Sequence, residues 1–140
     1  SFPSENALKK EIDRVRNFTD KLEDKKNKYK NFLFKYQQDE GKIAVFGAAH
    51  MSATFINLLE LKDYLEFVVD DNPHKIGLFM PGSRLPILGS SSLVEKNIKL
   101  CLLTLSPQSE AKVMQNNQEF LTRGGIFTSI FPENKRALNV

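Results

Sequence analysis

Gly41-Lys-Ile-Ala-Val-Phe-Gly-Ala-Ala-His50 decides the fold. Its apolar run, Ile43 to Phe46, has the length of a buried parallel strand and breaks into the small residues Gly47, Ala48 and Ala49. The amphipathic segment from Met51 to Leu61 follows, so a strand enters a helix through a tight turn. An echo, Glu66-Phe-Val-Val-Asp-Asp-Asn-Pro-His-Lys75, supplies a second strand and completes one βαβ unit of a Rossmann-like sheet. A small-residue turn lets a ligand approach the N–H groups of a helix N-terminus, whose dipole favours phosphate or carboxylate. Function is therefore sought near residues 46 to 53.

The glycine pattern narrows the choice of ligand. A dinucleotide fingerprint needs three glycines, for the turn, the pyrophosphate approach and the helix–strand packing. This turn offers Gly47 and then Ala48, Ala49, His50, Met51 and Ser52. Ordinary NAD binding is disfavoured, and so is S-adenosylmethionine binding, which uses a similarly glycine-rich turn. No phosphate loop of the Gly-x-x-x-x-Gly-Lys-Ser/Thr type occurs.

Downstream, strands and helices keep alternating. Asp71-Asn-Pro-His and Pro81-Gly-Ser read as turns around the short apolar piece Leu78-Phe-Met. Leu85-Pro-Ile-Leu reads as an edge segment, because its proline lacks a donor. A serine among Ser90, Ser91 and Ser92 caps a short helix through Lys96. A buried strand from Lys99 to Leu105 is expected next, then a helix from Pro107 to Thr122 with proline in its first turn and Gly124-Gly125 beyond its end. Ile126 to Phe131 gives the last strand. The fold class is thus α/β, Rossmann-like, with a mostly parallel sheet flanked by helices.

The N-terminal 40 residues read as one long helix. Ser4 and Glu5 supply an N-cap and first turn, and Leu8, Ile12, Val15, Phe18, Leu22, Tyr29, Phe32, Leu33 and Tyr36 recur at steps of three and four. Thr19, Lys25 and Lys26 interrupt this stripe. The second half, Tyr29 to Tyr36, is expected to pack on the sheet. The protruding first half either contacts a preceding domain, pairs with a second copy in a homo-oligomer, or stays solvated. The division is therefore 1–40, helix, and 41–140, a single α/β domain.

Composition bounds the function classes. The chain has 140 residues, 41% hydrophobic and 26% charged, as expected of one globular domain. Net charge is +3, yet residues 1–40 hold ten Lys/Arg against eight Asp/Glu, a mixed and solvated face rather than a nucleic-acid footprint. Nucleic acid and membrane are not expected partners. With no apolar span or basic-then-apolar leader visible, a cytoplasmic location is expected. Ser1 in place of an initiator Met suggests a piece of a longer protein. Cys101, the single cysteine, lies in the apolar run Leu100 to Leu103 and reads as a buried structural thiol. An intrachain disulfide and a cysteine-rich zinc site are excluded.

Candidate polar residues each carry two readings. His50 could donate to a phosphate or move a proton, or could cap the helix or face a partner. Asp70 could hold ribose hydroxyls, while Asp70, Asp71 and Asn72 leading into Pro73 equally suit an Asx-turn. Lys75 and Arg84 sit in turns where they could meet an anion or remain solvated. Ser106-Pro107 could line the same strand-end crevice. No nucleophile–base pair and no metal-ligand spacing is readable.

Gly41-Lys-Ile-Ala-Val-Phe-Gly-Ala-Ala, Phe67-Val-Val-Asp-Asp-Asn-Pro-His-Lys-Ile-Gly and Met80-Pro-Gly-Ser-Arg-Leu-Pro-Ile together resemble the C-terminal domain of S-adenosylmethionine-dependent sugar C-methyltransferases. The similarity runs from about Gly41 to Pro132. It implies a substrate-positioning domain that helps hold a nucleotide-linked sugar, with Gly47, Ala48, Ala49, His50, Ser52, Asp70, Asn72, Lys75 and Arg84 as candidate substrate contacts. It also implies that this chain binds no cofactor and contributes no catalytic residue, S-adenosylmethionine being held by a methyl-donor domain in the same or another chain. The family pattern continues its turn as Tyr-Gly-Ala-x-x-Lys-Gly, whereas here Met51 and Ser52 stand at the Lys and Gly positions. Charge for the substrate would then come from His50, Lys75 or Arg84. Two alternatives remain at this stage. One is the nucleotide-sugar-binding domain of a sugar acyltransferase, which would precede a hexapeptide repeat absent from this chain. The other is a non-catalytic interaction module that clamps a separate methyltransferase.

Overall fold

The structure is a computed structural model that describes residues 4–131 and 136–138, so residues 1–3 of the N-terminal segment lie outside the described residues. Apolar residues alternate faces along the strands and divide the core in two. Strand β1 (Lys42–Phe46) sends Ile43 and Val45 into one cluster and Ala44 and Phe46 into the other. Around it lie β2 (Val68–Val69), β3 (Ile87–Leu88), β4 (Ile98–Leu103) and β5 (Ile126–Ser129). All pairings are parallel, in the order β3-β2-β1-β4-β5. The sheet anticipated as mostly parallel is therefore wholly so, and buried on both faces, as the continuous apolar strands require. Leu85-Pro-Ile-Leu does supply an edge strand.

On one face lie α1 (Glu5–Asp39) and α2 (His50–Leu58). Tyr29 and Leu33 of α1 are buried against Phe55 and Ile56 of α2 and against Ile43, Val45, Leu100 and Leu102 of the sheet. Tyr29 meets Phe55 edge to face, with ring centroids 5.2 Å apart at 85°, a geometry that aligns a ring edge with a π face. Ser4 caps α1 by accepting from Ala7 N at 3.1 Å. The helix runs unbroken for 35 residues, but only its second half is buried. The other face holds α3 (Ser92–Glu95), α4 (Pro107–Asn116) and α5 (Gln118–Thr122). Leu93 and Phe120 pack there with Phe46, Cys101, Leu103 and Phe127.

Two helices differ from the sequence reading. The segment read as Met51 to Leu61 stops at Leu58, because Glu60 takes a left-handed φ of +53° and Leu61 N donates back to Ile56 O at 3.0 Å. This termination is normally assigned to glycine. Glu60 holds it with a carboxylate 2.9 Å from Lys26 and 3.7 Å from Lys30 of α1. The hydrogen bond to Glu60, helped by one to Glu23, raises the Lys26 ammonium above its ordinary value, while the bond to Lys26 lowers the Glu60 carboxyl. The segment read as one helix from Pro107 to Thr122 is two. Asn117 leaves helical geometry at φ −126° and ψ 44°, and its side-chain amide donates to Val113 O at 2.7 Å, in competition with the backbone ladder.

Leu33 has no exposed surface and couples α1 to the sheet. Leu33→Ala is expected to lower unfolding stability by about 2–5 kcal/mol, the usual cost of removing a fully buried leucine side chain. Urea unfolding followed by far-UV circular dichroism checks this.

Candidate functional site

The turn between β1 and α2 is built by close approach. Gly47 adopts φ +112°, and a Cβ there would lie 2.6 Å from Thr104 Oγ1 and 2.9 Å from Leu105 Cδ2. Only glycine fits both constraints. Gly47 N donates to Val69 O at 2.8 Å, tying the turn to the end of β2. Thr104 Oγ1 donates to Phe46 O at 2.8 Å from the other side, the end of β4. The strand order reverses between β1 and β4, the position where open α/β sheets usually seat a ligand. Here Thr104 and Leu105 pack against the turn at that point.

Ala48 is held at both ends of its peptide groups. Its N–H donates to Asp70 Oδ2 at 3.0 Å, and its carbonyl accepts from Lys75 Nζ at 2.6 Å. Lys75 Nζ is also 3.8 Å from Asp70 Oδ2. The second oxygen of Asp70 accepts from Asn72 N at 2.9 Å, and Asn72 Oδ1 accepts from His74 N at 3.0 Å. Asp71 Oδ1 accepts from Ser90 N at 2.7 Å. Ala49 N donates to Ser52 Oγ at 3.1 Å, and the same hydroxyl donates to Ala49 O at 2.8 Å. Ser52, fully buried, thus satisfies the turn from within. The N–H groups of Ala48 and Ala49 are occupied, which leaves those at the start of α2, from His50 onward, without intrahelical acceptors.

Beside this turn a groove of about 700 Å³ opens over the β2–β3 side of β1. Its floor and first wall are Ala48, Ala49, His50, Ala53, Thr54, Asn57 and Leu58. The opposite wall is Lys75 with Leu78, Phe79, Met80 and Pro81, and Ile87 lies beneath. That wall is a small antiparallel excursion, fastened by Ile87 N to Leu78 O at 2.9 Å and Met80 N to Leu85 O at 2.8 Å. Asn57 Nδ2 bridges the walls by donating to Pro81 O at 3.1 Å.

Eight of the nine candidate residues gather around this turn: Gly47, Ala48, Ala49, His50, Ser52, Asp70, Asn72 and Lys75. Of these, Ala48, Ala49, His50 and Lys75 line the groove, while Gly47, Ser52 and Asp70 hold its shape and Asn72 makes an Asx-turn beside it. Arg84 does not line the groove. It closes the turn after Met80, donating its N–H to Met80 O at 3.0 Å with φ +67°. Ser106 caps α4 through Ser109 N at 3.3 Å and is absent from the groove lining. Sequence reasoning missed the apolar wall. The available signal was Leu78-Phe79, two large apolar residues between turns with no strand or helix period to bury them; they are 56% and 60% exposed.

No carboxylate is in hydrogen-bond or ion-pair contact with His50 among the described residues. No group of three or more His, Cys, Asp or Glu residues there could hold a metal ion. No helix among them is long and apolar enough to cross a membrane. Cys101 is completely buried, and burial pushes its thiol well above the ordinary range.

A profile of the C-methyltransferase C-terminal domain matches residues 3–132. The chain belongs to that family. The match includes the Gly47 turn, the Asp70-to-Lys75 segment and the Leu78–Pro81 wall, and it goes with the methyltransferase reading rather than the acyltransferase one. No curated protein matches the chain. Among solved structures, the crystal structure of RSP, a Rex-family repressor, is similar over 69% of this chain and 50% of that one, with a TM-score of 0.48 and 14% identity. The chain spans half the length of that repressor.

Two outcomes follow from this packing. Gly47→Ala should lower unfolding stability by at least about 2 kcal/mol, through a disfavoured φ and contact with Thr104, as read by thermal and urea denaturation. Cys101 should resist a thiol-specific disulfide reagent in the folded protein and react fully once the chain is unfolded, as followed by the absorbance of the released chromophore.

Proposed function

We propose that this domain positions a nucleotide-linked sugar for a C-methyltransferase, with S-adenosylmethionine and the chemistry supplied by a methyl-donor domain in the same or another chain. The observation that carries this reading is the groove itself. It lies at the carboxyl ends of β1 and β2, beside the N-terminus of a nine-residue helix, and every residue that lines it falls within the family match. Its volume lies within the range of small-molecule sites, about 300–1,000 Å³.

The distribution of groups suits positioning. Lys75 is the candidate cation that lines the groove, and its ammonium has three donors, of which one is given to Ala48 O while Asp70 lies at ion-pair distance, 3.8 Å. Two donors remain for a phosphate oxygen. Asp70 already holds Ala48 N, so a pyrophosphate seated on the turn as in a dinucleotide site would meet a carboxylate. The ligand instead extends along α2, where His50, Thr54 and Asn57 offer polar contacts to hydroxyls and the Leu78–Pro81 wall covers an apolar surface. The exposed Met51 and Leu58 next to the groove suit the approach of the methyl-donor domain, which completes the enclosure.

Titration of the isotope-labelled chain with a thymidine- or uridine-diphosphate hexose tests the reading by amide chemical shifts. The expected result is saturable binding at about 0.1–1 mM, weak because one wall of the site is supplied elsewhere, with shifts confined to residues 48–58 and 75–81. Lys75→Ala should weaken it several-fold, and S-adenosylmethionine at the same concentrations should leave the spectrum unchanged. Saturable binding of S-adenosylmethionine, or sugar-nucleotide shifts centred on Thr104 to Ser109, would overturn the proposal.

A further inference from the structure

The apolar seam of α1 does not end where the sheet does. Leu8, Ile12, Val15, Leu22, Tyr29, Leu33 and Tyr36 follow one side of the helix at steps of four and three, the heptad period of a coiled coil. Tyr29 and Leu33 are buried by the domain and Leu22 is half-covered, whereas Leu8, Ile12 and Val15 are 53%, 46% and 57% exposed. Phe18, beside the seam, is 66% exposed. Thr19 occupies a seam position, and its hydroxyl is already satisfied by donating to Val15 O at 2.9 Å. Ile12, Val15, Arg16 and Thr19 line a shallow concavity along this face.

We propose that this bare half of α1 pairs with the same segment of a second copy, antiparallel, about a two-fold axis beside Asn17. The charge pattern selects this occupant and this direction. In that register Ile12 of one copy packs on Leu22 of the other and Val15 on Thr19, while Leu8 covers the methylene stem of Lys26. Lys9 then flanks Glu23, and Glu11 flanks Lys25, each pair occurring twice by symmetry. Phe18 meets Phe18 of the second copy across the axis on one side. On the other side Arg16 meets Arg16 of the second copy, the one like-charge contact at the axis, and both side chains are long enough to turn out to solvent. Sliding the pair one heptad toward the domain would place Ile12 against Tyr29, which is buried and unavailable. Sliding it the other way would set Lys9 against Arg16 twice by symmetry and leave Glu11 beside Phe18, with like charges and no opposite pair at these flanking positions to offset them. A parallel pair would stack Lys26 on Lys26 within the seam and force the two sheet domains side by side. The antiparallel register places the domains at opposite ends, so the two grooves stay open. A patch that is its own complement is the signature of an isologous contact.

Sedimentation velocity of the chain over a concentration series tests the pairing. A monomer–dimer equilibrium is expected, with Val15→Asp raising the dissociation constant at least about 100-fold, because a charge would be buried unpaired in the seam. Val15 touches solvent, so the far-UV spectrum and melting of the sheet domain should be unchanged. Glu11→Lys should weaken the dimer roughly 5-fold, and adding Lys25→Glu should restore it. Phe18→Cys should form an intermolecular disulfide under mild oxidation, with buried Cys101 uninvolved. A chain that stays monomeric up to about 100 μM, corresponding to roughly −5 kcal/mol, overturns the proposal. So does a dimer that survives Val15→Asp, or one that fails to cross-link through Phe18→Cys.

Discussion

Everything distinctive in this domain depends on how the Ala48 peptide is held. Asp70 takes its N–H and Lys75 takes its carbonyl, while Gly47 behind it is pressed between the ends of β2 and β4. A turn with no side chain longer than a methyl group has little to fix it by itself. Its conformation is instead fixed by groups more than 20 residues downstream, and those same groups anchor the second wall of the groove. Shape of the turn and position of Lys75 are thus one property. Hydrogen bonds to charged partners, roughly 1.5–3 kcal/mol each, are strong enough to make it stiff.

That arrangement goes with a turn that carries one glycine, Gly47, where a dinucleotide fingerprint has three. The N–H groups that would greet a phosphate at Ala48 and Ala49 are engaged by Asp70 and Ser52, both from within the protein. What remains open is the face of α2 and an apolar wall opposite. On the proposed reading, such a groove contributes by holding a substrate still. A displacement of about 1 Å at the reacting carbon can change rate on the order of 100-fold. In the positioning account, catalytic power flows from this stiffness.

Much of this was legible in the sequence, and the exceptions have identifiable causes. The strand cores and the small-residue turn could be read because burial on both faces leaves continuous apolar runs. The gathering of Asp70, Asn72 and Lys75 with the turn was legible only as a motif; their bonds to Ala48 depend on β2 lying beside β1, which periodicity does not reveal. Glu60 ended α2 where a glycine would have announced it, because ion pairs from Lys26 and Lys30 hold a left-handed glutamate. Asn117 broke α4 from α5 by bonding its own backbone, a competition invisible to hydrophobic spacing. Arg84 closes the turn after Met80 and is not among the residues that line the groove, a placement set by local backbone bonds and not by its neighbours in sequence. Leu78 and Phe79 gave no periodic signal because they belong to an excursion, not to a strand of the sheet.

The positioning account is tested most directly by obstructing the groove without touching the turn that shapes it. Thr54 lies on the groove side of α2 and is only partly buried, so Thr54→Trp fills the space from one wall. Steady-state kinetics of an enzyme assembled from this domain and its methyl-donor domain should then show kcat/KM for the sugar nucleotide reduced by about 100-fold. The KM for S-adenosylmethionine should be unchanged. An unaltered kcat/KM for the sugar nucleotide, or a loss confined to the methyl donor, would contradict the account.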